Sequence, residues 1–221
     1  SKYEWVDLRH VPKTSTLKTG LINISADGYL KGKITTQLQG YEALEVRNKL
    51  KGIDDSLSIK ESSELKEDTI KVEYKNVDDI KKSLEYSKEI NSDKGIQSNG
   101  DVLYITPLME SAMKENPFKQ EKRTLPIDLV YPKDEIFVYT FQIPEGYKIE
   151  EVPQPAKFQW ADGKSIKFEY ITKKNESSIQ ISCKLMINRV IFQPEEYEAL
   201  KKFYADIVAK ETEQIVLKKI K

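Results

Sequence analysis

The sequence predicts a mainly β protein of the α+β class: an antiparallel β-sandwich or meander with a C-terminal amphipathic helix docked on the sheet. Two observations within residues 125–208 predict it. Several runs alternate apolar and polar residues, and after Pro194 the apolar residues recur at steps of three and four. The first period is that of a strand and the second that of a helix. Because short turns separate the runs, we expect neighbouring strands to be antiparallel.

The strongest strand pattern covers residues 177–191. Its predicted buried face carries Ile179, Ile181, Cys183, Leu185 and Ile187. Residues 164–172 repeat the pattern, and the polar residues 173–176 have the length of a hairpin loop. Residues 135–143 are apolar on both faces, which predicts a central strand covered on both sides.

The predicted helix follows Pro194, a residue tolerated in the first helical turn because its missing N–H would be unpaired there anyway. Glu195 and Glu196 come next, where the helix dipole favours acids. The apolar stripe consists of Tyr197, Leu200, Phe203, Tyr204, Ile207 and Val208. Such a stripe favours packing on a sheet. Residues 214–217 fit either a last strand or a helical tail.

The N-terminal part begins with a predicted strand over residues 3–8 and a loop over residues 9–18. Two strands follow at residues 21–25 and 29–38, joined by the hairpin signal Asp27-Gly28. Gly40 ends the second strand, and a helix is predicted over residues 41–50.

The middle of the chain alternates polar segments with short strands. Residues 54–68 are dense in Ser, Lys, Glu and Asp, and fit either a solvated helix or a poorly ordered loop. Strands are predicted over residues 69–74, 80–90 and 101–106. Residues 107–124 lack β periodicity and are predicted to form a crossover loop with a helical turn.

The length of 221 residues suits one large or two small domains. The predicted division places an N-terminal β unit with a short helix at residues 1–110. A C-terminal β-meander plus helix then covers residues 111–221. The alternative is one continuous domain.

The charge is balanced, with 36 basic and 36 acidic residues. This balance removes the electrostatic argument for a nucleic-acid or anionic-membrane partner. No apolar run approaches the ~20 residues that span a bilayer, so a membrane-spanning chain is not expected. The chain begins at Ser1 with no initiator methionine or signal peptide, as a trimmed chain would, so its start indicates no compartment.

Catalytic motifs are not evident. Cys183 and His10 are the single members of their types. Cys183 lies on the apolar face of a predicted strand, which favours a buried structural thiol, and His10 lacks a neighbouring partner. The acidic pairs lack calcium-loop spacing, and one His with one Cys cannot form a typical zinc site. We therefore predict no catalytic residue, no metal and no cofactor.

Two aromatic residues are candidate surface contacts. Trp160 precedes the turn signal Ala161-Asp162-Gly163, and Trp5 lies in the first predicted strand. Aromatic side chains exposed on a β surface can stack on sugars, although packing at a strand end is the usual role of such residues. Their exposure would favour a glycan- or peptide-binding module, and their burial would count against it.

Three stretches carry a family resemblance: Leu125-Pro126-Ile127-Asp128, Ile143-Pro144-Glu145-Gly146-Tyr147, and Phe192 to Tyr197 running on to residues 214–219. With Trp5-Val6-Asp7-Leu8 and residues 24–28, they resemble the β-rich C-terminal domain, of unknown function, of Bacteroidetes transglutaminase-like proteins. The resemblance covers nearly the whole chain. Its motifs are signatures of fold rather than of catalysis.

The resemblance implies a function without catalysis in this chain. The family's Cys, His and Asp would lie in a preceding papain-like core, and no residue here matches them. We therefore expect an accessory or interaction domain that packs on, or presents substrate to, that core domain. The resemblance also implies export to the periplasm or cell envelope.

Two alternative functions remain at this point. One is a β-sandwich module that binds a glycan or peptide of the envelope. The other is a hydrolase with paired carboxylates, which would require a cleft with two acids about 5–10 Å apart.

Overall fold

The computed structural model describes residues 13–51 and 69–220. Up to residue 105 the described elements are β1 Thr14–Ile24, β2 Leu30–Gln39, α1 Tyr41–Lys51, β3 Thr69–Lys75, β4 Leu84–Ser92, β5 Ile96–Asn99 and β6 Val102–Ile105. Beyond it they are β7 Ile127–Asp128, β8 Lys133–Gln142, β9 Tyr147–Glu151, β10 Ala156–Gln159, β11 Ile166–Lys174, β12 Ser178–Ile187, β13 Ile191–Phe192, α2 Tyr197–Glu211 and β14 Ile215–Lys219. Single 3-10 turns occur at Met109–Ser111 and Pro194–Glu196.

The largest sheet has eight strands in the order β10-β11-β12-β8-β1-β2-β4-β3. Its strand pairs are antiparallel except β1 with β8, which are parallel in a register that begins at Thr14 and Lys133. The predicted mainly β, antiparallel fold is therefore confirmed. The parallel pair was not predicted. A parallel connection needs a long crossover, and more than a hundred residues separate these two strands.

A second, four-stranded sheet has the order β5-β6-β14-β9. Of residues 214–217, left open between strand and helix, residues 215–217 belong to β14, which pairs antiparallel with β6 and β9. Both sheets contain strands from each side of the predicted boundary at residue 110, and one large apolar core joins them. Short strands β7 and β13 form a third sheet.

The C-terminal helix is confirmed with its predicted buried face. The Pro194–Glu196 turn leads into α2 and is stabilised by a capping box. The Gln193 side chain accepts from the Glu196 backbone N–H, and the Glu196 carboxylate accepts from the Gln193 backbone N–H. The predicted stripe supplies the buried side chains Tyr197, Leu200, Phe203, Tyr204 and Ile207. These residues share the large core with the strands of both sheets.

Several predicted strands differ from the observed ones at their ends. Residues 14–18, predicted as loop, begin β1. Their sequence is polar, but β2 and β8 pair with them on both sides and satisfy their backbone groups. The strand predicted from residue 80 begins at Leu84, and Ile80 is exposed. Strand β8 is buried on one face and half-buried on the other. The segments predicted at residues 3–8 and 54–68 lie outside the described residues.

Helix α1 forms a small separate core on the large sheet. Leu38, Ala43 and Leu84 are its buried members. Arg47, on the same helix, is buried and bonds the loop between β3 and β4. The predicted helix over residues 41–50 is thus confirmed.

Candidate functional site

A cleft lies between the two large sheets. Its volume is about 580 Å³, within the range of 300–1,000 Å³ that is usual for small-molecule sites. Strand β4 forms one wall, β5 and β6 form the other, and the Met109–Ser111 turn closes one end. Buried Leu30, Ile90 and Ile96 make its interior aliphatic, while the exposed lining residues are mainly charged or polar.

A buried lysine lines this cleft. The Lys88 side chain is 8% exposed, and its ammonium group donates to the Glu110 carboxylate, whose side chain is 46% exposed. Strand alternation places Lys88 on the same face as Leu84 and Ile90. An ammonium group is costly to bury unless an anion accompanies it. Glu110 supplies that anion from the turn at the end of the cleft.

The Met109–Ser111 turn positions Glu110. Met109 adopts a left-handed backbone conformation, with φ of 52°. Such a conformation is uncommon for residues other than glycine, and it often marks a functional site. The next two residues each bond a lysine: Glu110 bonds Lys88, and Ser111 Oγ accepts from Lys18 Nζ at 3.0 Å. The turn therefore contacts the ammonium groups of Lys18 on β1 and Lys88 on β4.

Lys18 lies in a largely neutral environment. Its ammonium group donates to Ser111 Oγ and also lies over the Phe137 ring, 5.5 Å from the ring centroid. Ser111 Oγ also lies 3.1 Å from the Tyr139 hydroxyl. Burial lowers the pKa of Lys18, Glu110 opposes this effect, and the like charge of Lys88 adds to it. The charges of Glu135 and Glu42 also oppose the effect of burial on Lys18, but of the three carboxylates only Glu110 lines the cleft.

A second buried cluster lies behind the same segment. Glu211, near the end of α2 and 3% exposed, accepts from the Met113 backbone N–H at 2.6 Å and from Cys183 Sγ at 3.5 Å. Burial raises the pKa of Glu211. Burial and the neighbouring Glu211 raise the pKa of the Cys183 thiol. The thiol is 1% exposed and protonated, as expected of a structural cysteine and not of a nucleophile.

Trp160, predicted as a possible surface contact, is 9% exposed. Its ring packs edge-to-face on Phe192 at 5.1 Å and on Phe203 at 6.2 Å, between centroids, and the Arg189 guanidinium lies over it. This packing counts against a stacking platform at Trp160. The other predicted contact, Trp5, and the single histidine, His10, lie outside the described residues.

Acidic residues show no metal-binding arrangement. In residues 13–51 and 69–220, no group of three or more His, Cys, Asp or Glu could hold a metal ion. Asp93 and Glu110 both line the cleft, as a carboxylate hydrolase would require. Glu110, however, is committed to Lys88, whereas a general acid needs a proton that it can donate. Glu196 is occupied by the Gln193 backbone and Arg189.

Sequence reasoning missed Lys88 although a signal was present. In the alternation Leu84, Tyr86, Lys88, Ile90, a lysine occupies a position on the apolar face. A charge at such a position indicates a buried ion pair or a site. Its partner Glu110 lies in a loop without periodicity, so only the fold shows that the two residues meet.

Within residues 13–51 and 69–220, no helix is long and apolar enough to cross a membrane.

Comparisons with known proteins give a family for most of the second half. Residues 101–217, slightly more than half of the chain, match the family described as "Domain of Unknown Function with solved-structure structure" (DUF3858). No curated protein matches the chain. A crystal structure described as a "putative protease" from Parabacteroides distasonis is similar over 55% of this chain, with 15% identity and a TM-score of 0.45. The chain spans 24% of that protein's length.

The chain belongs to the DUF3858 family. The expected β-rich domain of unknown function is thereby confirmed. The relation to Bacteroidetes transglutaminase-like proteins stays a prediction.

Proposed function

We propose that this DUF3858 member is a non-catalytic interaction domain that binds a short peptide segment in the cleft between its two sheets. The observation that carries the proposal is the cleft itself, about 580 Å³ in volume, with an aliphatic interior and a buried lysine that pairs with an exposed glutamate. Apolar pockets with a few fixed polar groups are the usual form of ligand sites.

Binding is favoured over catalysis by the surroundings of the Ser111–Lys18 pair near the cleft. Ser111 is bonded by Lys18, an arrangement that could in principle activate a nucleophile. Acyl transfer also needs backbone N–H groups that are available to an oxyanion. The N–H of Ser111 donates to the Leu108 carbonyl and that of Met113 to the Glu211 carboxylate, so neither of these two amides is available to an oxyanion.

A peptide is favoured over a glycan by the composition of the cleft. Sugar-binding surfaces commonly present aromatic faces. Tyr104 is the only aromatic among the described residues that line the cleft, and Trp160 is packed in the core. Leu30, Ile90 and Ile96 suit aliphatic side chains instead.

The resemblance seen in the sequence suggests where such a peptide originates. The motifs at residues 125–128 and 192–197 resemble the domain that follows the core of transglutaminase-like proteins. On that basis the partner is a segment of the preceding domain of the same chain, and the domain acts in the periplasm or cell envelope. An envelope peptide is the alternative occupant.

Backbone amide NMR during titration with pools of tetrapeptides tests the proposal. We expect shifts concentrated at Lys88, Ile90 and Ile96. Gln97→Trp, at an exposed position in the cleft lining, should weaken binding about tenfold or more. Gln37→Trp, an equally exposed glutamine outside the cleft lining, should leave it unchanged. Shifts located away from the cleft, or equal effects of both variants, would refute the proposed site.

A second titration tests the accessory role. The preceding domain of the parent chain is added in trans and followed by calorimetry. Saturable binding that Gln97→Trp removes would support docking through the cleft. Binding that survives this variant would assign the contact to another surface.

A further inference from the structure

We propose that the cleft recognises its ligand through a carboxylate, which takes the place of Glu110 at Lys88, with an aliphatic side chain beside it. The occupant of this chemistry is the C-terminal residue of a peptide. The inference rests on the proposed binding function and specifies its ligand.

Glu110 has the properties of a replaceable partner. Its side chain is 46% exposed while that of Lys88 is 8% exposed, so the acid reaches in from solvent to an ammonium group that is fixed in the wall. Glu110 belongs to a single 3-10 turn within a segment without strand structure, whereas Lys88 belongs to a strand paired on both sides. Releasing Glu110 therefore requires movement of one side chain on a short turn, and the sheet stays intact.

The backbone next to Glu110 is consistent with such movement. Met109, with φ of 52°, holds a conformation that is sparsely populated for a residue with a side chain. Backbone bonds from Met109 to Thr106 and from Ser111 to Leu108 also hold the turn, so the Glu110 side chain can leave Lys88 while these bonds remain.

The local charge favours a second anion. Among the described residues, the hydrogen-bond partner of the Lys18 ammonium is the neutral Ser111, and Glu110, which pairs with Lys88, acts on Lys18 through its charge. Glu135 and Glu42 act on Lys18 in the same way, but they bond Lys133 and Tyr131. Lys114 lies at the exposed side of the same cleft. Opposite charges attract strongly where water is largely excluded. A ligand carboxylate would therefore gain from Lys88 directly and from Lys18 at longer range.

The aliphatic interior defines the rest of the ligand. Ile90, one alternation step along β4 from Lys88, is buried, and Leu30 and Ile96 line the same space. An apolar group attached close to the carboxylate would occupy this space. A C-terminal leucine or valine has its side chain and its carboxylate on one carbon, and it matches both features.

The test compares two probes that differ in one group. Acetyl-Gly-Ala-Leu is titrated as the free acid and as the C-terminal amide, and D-glucuronate is titrated as a carboxylate without the aliphatic part. We expect the acid to bind about tenfold or more tightly than the amide, as expected for a buried ionic contact. Glu110→Gln removes the competing charge and should strengthen binding of the acid about fivefold or more. Lys88→Met should abolish the preference for the acid.

Glu115→Gln provides the control, since Glu115 lies in the same segment and pairs with Lys119 in an exposed ion pair. It should leave both affinities unchanged. Because Glu110→Gln alters an exposed side chain, the test does not depend on how well Lys88→Met folds.

The outcomes separate this inference from the proposed function. Equal binding of acid and amide by the natural protein and by Glu110→Gln would overturn the carboxylate inference and leave peptide binding intact. Glucuronate bound as well as the peptide acid would overturn the peptide C-terminus as occupant. No binding of either peptide by any of the variants would refute both the inference and peptide binding in this cleft.

Discussion

Arg47 offers the sharpest test of how α1 is held on the large sheet. Its side chain is buried, and its guanidinium donates to four backbone carbonyls of the loop between β3 and β4, three of which share the two hydrogens of Nη2. The acceptors are Val77 at 3.0 Å, Asn76 at 3.1 Å, Asp79 at 3.0 Å and Lys82 at 2.8 Å. Arg47→Met should therefore release the loop and destabilise the protein.

The expected loss in the free energy of unfolding follows from these four contacts. Hydrogen bonds to a charged donor contribute about 1.5–3 kcal/mol each. The full sum is not expected, because the loop is partly exposed and water can reach the released carbonyls. A loss of about 3 kcal/mol is expected, equal to one to two uncompensated bonds. Arg47→Lys should recover less than half of it, because one ammonium group cannot reach carbonyls that the guanidinium spans as a fork.

Urea unfolding followed by circular dichroism measures the effect. The matched control is Lys49→Met, on the same helix, which removes an exposed ion pair with Glu45. Exposed pairs of this kind contribute little to stability, because water and salt screen them. If Arg47→Met cost no more than Lys49→Met, or if Arg47→Lys were as stable as the natural protein, the bonding argument would be refuted.

Three further predictions concern titration and backbone conformation. Burial raises the pKa of Glu211 above its ordinary value of 4.5, so the neutral acid favours the folded state and stability falls as the pH rises through the folded value. The stability of Glu211→Gln relative to the natural protein should therefore increase as the pH rises from 4 to 8. If urea unfolding gave the same stability difference at each pH, the prediction would be contradicted. Hydrogen bonds from Ser165 and Lys164 lower the pKa of Asp162 from 3.8 to about 2, so its stabilising contribution is present above pH 3.8 and is lost as the pH falls through about 2. Asp162→Asn should be less stable near neutral pH, with the difference shrinking in acid, and equal unfolding midpoints at pH 6 would exclude the effect. Val130 is 76% exposed with φ of 72°, so Val130→Asn should raise stability by about 1 kcal/mol, and thermal unfolding that shows no gain would argue against backbone strain there.

The periodic elements were predictable because burial on one face leaves a direct trace in sequence. Strands β11 and β12, their hairpin and the buried stripe of α2 follow from alternation and helical spacing. The hairpin between β1 and β2 follows from Asp27-Gly28, and Gly28 indeed has a positive φ of 85°. These are local signals, so the sequence carries them without reference to the rest of the fold.

Strand order was not predictable for the opposite reason. The parallel pairing of β1 with β8 brings Thr14 beside Lys133, and no short-range pattern connects these residues. The start of β1 was predicted as loop because its residues are polar, although strands on both sides satisfy its backbone. Alternation identifies a strand and its buried face. It contains no information on the neighbour or its direction.

The cleft shows how a site can depend on both kinds of information. Lys88 was detectable as a charge on an apolar face, whereas Glu110 lies on a turn whose position follows from tertiary structure. The predicted contact at Trp160 illustrates the converse, because a residue type suited to surface recognition is used for core packing. The sequence pattern therefore indicates an unusual charge at Lys88, but it does not indicate that Lys88 pairs with Glu110.

The family match and the cleft cover different parts of the chain, and this difference bears on function. Residues 101–217 include Tyr104, Glu110 and Lys114, while Lys88 and Ile90 precede the matched region. The matched region thus contributes the acid and strand β6, whereas the preceding part contributes the ammonium group, strand β5 and the aliphatic residues Leu30, Ile90 and Ile96. A domain cut at residue 101 would retain the carboxylate but lose its partner. Ligand recognition in this protein therefore has to be tested on the whole chain, because neither part alone contains both charges.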